Sequence, residues 1–124
     1  MRYVRIYNDE RGESHFEDLD LALAPAQYAP PAPPFDLSDP MPASNALLFE
    51  LPPGWFGGWH PTPRRQLYFA LAGRLEIEVS DGEVRVLEPG AVVLVEDEVA
   101  PGHTTRALGD EPARGAFVHL APEE

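Results

Sequence analysis

The amino-acid sequence predicts an all-β fold, a sandwich or barrel of short strands, and three observations carry that prediction. No segment of helical length repeats its apolar residues at the 3.6-residue period of a helix. Short alternating or continuous apolar runs recur instead, broken by Pro/Gly turns about every eight to twelve residues. Asp81-Gly82 sits between two alternating runs and is the strongest hairpin signal in the chain. With 124 residues and 44% hydrophobic content, there is material for a single core and a single domain.

Taken in order, Tyr3 to Tyr7 is a strand rich in β-formers, followed by a turn over 8–12. Ser14 to Leu19 carries His15, which reads as a surface or edge residue rather than a ligand. Seven prolines between Pro25 and Pro42 lack backbone donors and hold the chain extended, so this stretch is a loop. Tyr28, Phe35 and Met41 give it apolar anchors, which favours an arm laid on the barrel or on a neighbouring subunit over a mobile linker. Residues 1–43 are therefore N-terminal strands and a proline-rich arm, and 44–124 the barrel, in one structural domain.

Ala46 to Leu51 is the next strand, and two prolines with three glycines turn the chain through 52–58. Leu75 to Val79 alternates apolar and acidic residues, and Glu83 to Val86 repeats the alternation in the opposite direction. That sets Glu76 or Glu78 opposite Arg85, for about 0.2–1 kcal/mol. The continuous apolar run Ala91 to Val95 predicts burial on both faces, and 96–102 is an acidic loop. Ala113 to Leu120 closes the fold. Its alternation puts Phe117 and His119 on one face without saying which face is inside, so His119 stays outside the predicted site.

The chemistry concentrates in Trp59 to Gly73, WHPTPRRQLYFALAG, where a histidine, two arginines and a glutamine precede an apolar strand. A second histidine, His103, follows in APGHTTR, and closure into a barrel lets His60 and His103 meet. Arg64 and Arg65 can clamp a carboxylate or phosphate, although alternation sends them in opposite directions and pairing with Glu96 to Glu98 is the stronger expectation for at least one. Trp55, Phe56, Trp59, Tyr68 and Phe69 are the aromatic candidates for pocket or core. Asp97 is the additional acid expected near the mouth, or else a cap for the turn before His103.

Composition removes several classes of function. There is no cysteine, hence no disulfide, thiolate nucleophile or sulfur-ligated metal, and no lysine, hence no Schiff base. A formal charge of −12 repels phosphate backbones and anionic membranes, so neither nucleic acid nor membrane is an expected partner. With neither a membrane span nor a secretory leader in view, a cytoplasmic protein is the default expectation.

The order His60, Thr62, Gln66, Gly73, then Pro89-Gly90, then His103, resembles the cupins, small double-stranded β-helix (jelly-roll) barrels, here of the single-domain kind. Their first motif, H-x-H-x(3 or 4)-E-x(6)-G, is met at His60 and Gly73, while Thr62 stands at its second histidine and Gln66 at its acid. The second motif is met by Pro101-Gly102 and His103. The resemblance spans roughly residues 44–120 and implies the jelly-roll fold, a small-molecule ligand and a habitual homodimer. It also implies a ligand set of His60, Gln66 and His103 for a divalent metal, among zinc, nickel, iron, manganese and copper. Weaker binding than in a full cupin is expected, because an amide oxygen neutralises none of the ion's charge and threonine is a poor ligand.

Three readings follow. The favoured one is an enzyme of lyase, isomerase, cyclase or oxygenase type, with His60, His103 and Gln66 catalytic around a weakly held metal and Thr62, Arg64, Arg65, Trp59, Tyr68 and Asp97 about the substrate. The second is a metal-free barrel that binds a small molecule or does acid–base chemistry on it. The third is a non-catalytic, dimeric interaction protein.

Overall fold

A computed structural model describes residues 1–122, which form twelve strands. They are β1 (Arg2–Asn8), β2 (Ser14–Asp20), β3 (Ala24–Ala26), β4 (Phe35–Leu37), β5 (Ala43–Leu51) and β6 (Phe56–His60), then β7 (Gln66–Ala72), β8 (Arg74–Val79), β9 (Val84–Leu87), β10 (Val92–Val95), β11 (His103–Leu108) and β12 (Ala113–Leu120). The larger sheet has six strands in the order β2-β1-β10-β7-β12-β5, and a smaller one has four in the order β6-β11-β8-β9. The fold is all-β, as the strand and turn pattern predicts.

Side chains from the two sheets meet in one core that includes Ile6, Phe16, Tyr68, Leu75, Ile77, Val79 and Val93. Period-2 alternation divides β7 and β10 between two environments. Tyr68, Val93 and Val95 point into this core, whereas Leu67 and Leu94 join Leu120 in a second cluster. The unbroken apolar run of β10 thus has both faces packed, and its pairing with β1 is parallel.

β1 and β2 are strands of the larger sheet itself, so the N-terminal segment shares the barrel's hydrogen bonding. The proline-rich arm contributes only the β3–β4 pair. Leu23, Leu37 and Met41 of the arm line a groove with Tyr3, Leu67, Phe69 and Leu94, which lays the arm against its own barrel. Tyr28 and Phe35 differ from the anchoring role expected of them: their rings sit 5.8 Å apart and both remain exposed.

Two other expectations change with register. Arg85 pairs with Ile77 across β8–β9, while Val84 and Val86 are exposed, so the predicted Glu–Arg cross-strand pair does not form. The reason is what lies beneath β9. The Arg85 guanidinium sits 4.8 Å over the Phe16 ring and reaches Asp18 at 2.8 Å and Glu83 at 2.6 Å, so its stem packs on β2 and its head group is neutralised there. The turn expected through residue 58 ends earlier, at Phe56, because β6 pairs with β11 and Arg106 stacks on Phe56 at 4.5 Å.

Candidate functional site

His60 ends β6 and His103 begins β11, and the two are directly paired in register. Gly102 makes this approach possible. Its φ is +73°, and a Cβ there would overlap the His60 carbonyl, a space only glycine leaves open. The imidazole centroids are consequently 4.6 Å apart.

The acidic loop after β10 holds both halves of the site. The Asp97 carbonyl accepts the Thr62 N–H at 3.1 Å, and its carboxylate accepts the His103 Nδ1–H at 2.5 Å. Asp97 is fully buried, and its Oδ1 has no partner among the described residues. A buried carboxylate needs a hydrogen-bonded counterpart, and His103 is the one present. His60 Nδ1–H donates to the Gly58 carbonyl at 2.6 Å. Both rings therefore keep Nε2 as the nitrogen free for a ligand. Thr62 donates its hydroxyl to the Arg64 carbonyl at 2.8 Å and accepts from Gln66 Nε2 at 3.2 Å, which orients the glutamine amide.

His60, Thr62, Gln66 and His103 line a cavity of about 420 Å³ between the two sheets. Most of the remaining wall is apolar: Ile6, Leu75, Ile77, Leu87, Val93 and Val95 come from four strands, and Phe49, Tyr68 and Phe117 form an aromatic group. Phe49 stacks on Phe117 at 4.7 Å and on Tyr68 at 5.6 Å. Burial pushes the Tyr68 phenol up to about 12, so it stays protonated, and its hydroxyl has no protein partner among the described residues.

Of the residues singled out in the sequence, His60, Thr62, Gln66, Tyr68 and His103 line this cavity, with Asp97 directly behind His103. Arg64, Arg65 and Trp59 do not line it. Arg65 turns to Glu96 at 2.6 Å, and Glu96 also receives Arg5 at 2.6 Å. Burial of Glu96 opposes its ionisation, but the two guanidiniums outweigh it and hold the carboxyl below its ordinary range. Arg64 Nη1 donates to His119 Nδ1 at 2.8 Å. Trp59 is 49% exposed, and Trp55, lying over Gly57 at the rim, is the tryptophan of the lining. His119, left out by the sequence reading, is in the lining with Phe117. The face became decidable only through register, which sets Phe117 against Tyr68 and His119 against Gln66.

The metal implied by the resemblance can be tested against these donors. Among the described residues no three His, Asp or Glu side chains converge where a metal ion could be held. Thr62 is engaged on both sides, Gln66 brings an uncharged amide, and the one nearby carboxylate is taken by His103. No carboxylate lines the cavity itself, so this donor set does not fit a resident metal ion.

A sequence profile of the cupin domain matches residues 47–119. No curated protein matches. Among solved structures, the chain is similar to SPY1581 of Streptococcus pyogenes, a conserved protein of unknown function, at 24% identity and TM-score 0.50 over 64% of this chain and 65% of that one. The match thus spans just under two thirds of the streptococcal protein. It is also similar to the cupin domain of an XRE family transcriptional regulator from Enterobacter cloacae, at 22% identity and TM-score 0.50 over 63% and 81%. The cupin domain of Schizosaccharomyces pombe Cnp3 gives 16% identity and TM-score 0.51 over 88% and 73%. At these identities the likeness is one of fold. The profile covers more than half of the chain, and the two-sheet barrel is the architecture these structures share: the chain belongs to the cupin family.

Proposed function

We propose that the barrel binds a small, largely apolar, ring-bearing molecule without a metal, and that His103, oriented by Asp97, takes a proton from it. The observation that carries this reading is the His103–Asp97 hydrogen bond at the edge of an apolar cavity of about 420 Å³. A volume of that size accepts a ligand of one or two rings. A buried carboxylate behind an imidazole fixes the ring's orientation and stabilises the positive charge it gains on accepting a proton at Nε2. His60 shares that role, and Gln66 and Tyr68 line the cavity beside it. The reaction class is proton transfer at a carbon next to a carbonyl, as in an isomerase or lyase.

The test uses 1-tetralone, a bicyclic ketone, with tag-free protein purified without chelator. Saturable binding by NMR, and exchange of the α-protons for deuterium in D2O that falls at least tenfold in His103→Gln, are expected. Elemental analysis of parent and His60→Ala should show no stoichiometric metal in either. Absence of ring-compound binding, or stoichiometric metal in the parent that His60→Ala loses, would overturn the proposal.

A further inference from the structure

The fourth imidazole of the chain, His119, has a different environment from the other two in the cavity. Its Nδ1 receives two donors: the Arg64 guanidinium at 2.8 Å and, more weakly, the Asn45 side-chain amide at 3.4 Å. Neither can accept a hydrogen bond through the nitrogen it presents, so Nδ1 must be the unprotonated, accepting nitrogen. The ring's proton then sits on Nε2. In His60 and His103 the assignment is the reverse, since their Nδ1–H groups donate to a carbonyl and a carboxylate. The cavity therefore holds two imidazoles offering a lone pair at Nε2 and one offering an N–H.

We infer that His119 is the hydrogen-bond donor for the ligand's oxygen, with Arg64 as the positioning residue that fixes its tautomer. The inference rests on the proposed ligand site and deepens it. His119 lies across the β7–β12 pair from Gln66 and shares the cavity wall with Phe117, and with Nδ1 occupied by Arg64 and Asn45, Nε2–H is the polar group its ring has left to offer a ligand. Arg64 makes no ion pair with a described carboxylate, which leaves its guanidinium committed to Nδ1 and polarises the ring toward stronger donation. The ligand class is thereby narrowed to ring compounds with an accepting oxygen, carbonyl or carboxylate. For a ketone, His103 accepts the α-proton at Nε2 while the charge that moves onto oxygen is stabilised by the His119 Nε2–H. An imidazole that keeps its proton can polarise a carbonyl in this way. Return of a solvent-derived proton to the carbon closes the exchange, with no redox change.

Two measurements test the assignment. Long-range 1H–15N spectra of the free protein report each ring's tautomer without any ligand: His119 should be protonated at Nε2 and bare at Nδ1, with His60 the reverse, and Arg64→Gln should turn His119 into a tautomer mixture. The second compares 1-tetralone with tetralin, the same skeleton without the oxygen. The ketone should bind about three- to tenfold more tightly, the worth of one hydrogen bond, and His119→Phe should erase that preference while still binding tetralin. If His119→Phe fails to fold, Arg64→Gln replaces it and should weaken the preference. An Nδ1-protonated His119 in the parent, or a ketone preference that survives these variants, would overturn the inference and leave the ligand site standing. Binding of neither compound to the parent would overturn both.

Discussion

Asp97 shows how one residue can be both scaffold and chemistry. Its backbone carbonyl holds Thr62 and its carboxylate holds His103, while the residue itself is inaccessible to solvent. Removing the carboxylate strands the buried His103 N–H, whereas an amide keeps an acceptor but loses the charge. Asp97→Ala should therefore cost about 1–3 kcal/mol in urea unfolding, and Asp97→Asn should stay closer to the parent in stability while still losing most α-proton exchange. Equal stability of all three proteins would show that the bond carries no weight. The sequence offered Asp97 as mouth acid or turn cap, and between these two roles spacing had nothing to choose. The partner is six residues away across a turn, at a distance only the folded loop defines.

At the level of elements, the junction of β6 and β11 builds the site. Alternation along a strand says which residues share a face, but the register between strands decides which faces meet. His60 and His103 could be named from their residue types and from the family's motif spacing. Their pairing needed the positive-φ turn at Gly102, where the backbones of two strands nearly touch. Gly102→Ala should accordingly destabilise the protein by more than the roughly 1–3 kcal/mol of a strained backbone alone, because its Cβ also overlaps the His60 carbonyl, and it should separate the two rings. A thermal melt of this variant within a degree of the parent would contradict that account. The same register logic explains His119, whose face β12 could not declare alone, and Arg85, which alternation placed outside and the packing of β2 drew inward onto Phe16.

Across the whole molecule, the end of the barrel away from the arm is clipped by His15. Asp9, in the β1–β2 turn, approaches its Nε2 at 2.7 Å, and Asp81, in the β8–β9 turn of the other sheet, approaches Nδ1 at 2.7 Å. The Asp9 and then the Asp81 hydrogen bonds raise the His15 pKa above 6.5. A histidine whose folded pKa is raised contributes its full stabilisation below the unfolded value and loses it as pH rises through the folded value. The melting temperature should thus decline as pH climbs above about 6.5, and His15→Gln should flatten that decline. A parent curve already flat across this range would remove the clip from the list of stabilising features. No sequence reading could have chosen these two acids from the 21 present, since they lie 6 and 66 residues from the histidine.

What the sequence determined by itself is whatever depends on periodicity, local turn chemistry and residue inventory. These are the all-β class, most of the longer strand segments, the double-sided burial of β10, the glycine turns, the absence of thiol and lysine chemistry, and His60 and His103 as the residues worth watching. Those features follow from each residue's own backbone preferences and from its immediate neighbours. Tertiary structure decided everything that is a relation between distant strands: that His60 and His103 face each other, that Asp97 stands behind one of them, that Arg65 is spent on Glu96, and that His119 belongs inside. The physical reason is that a side chain's hydrogen-bonding role and charge compensation are set by the groups packed against it, and in a barrel those groups come from strands far away in sequence.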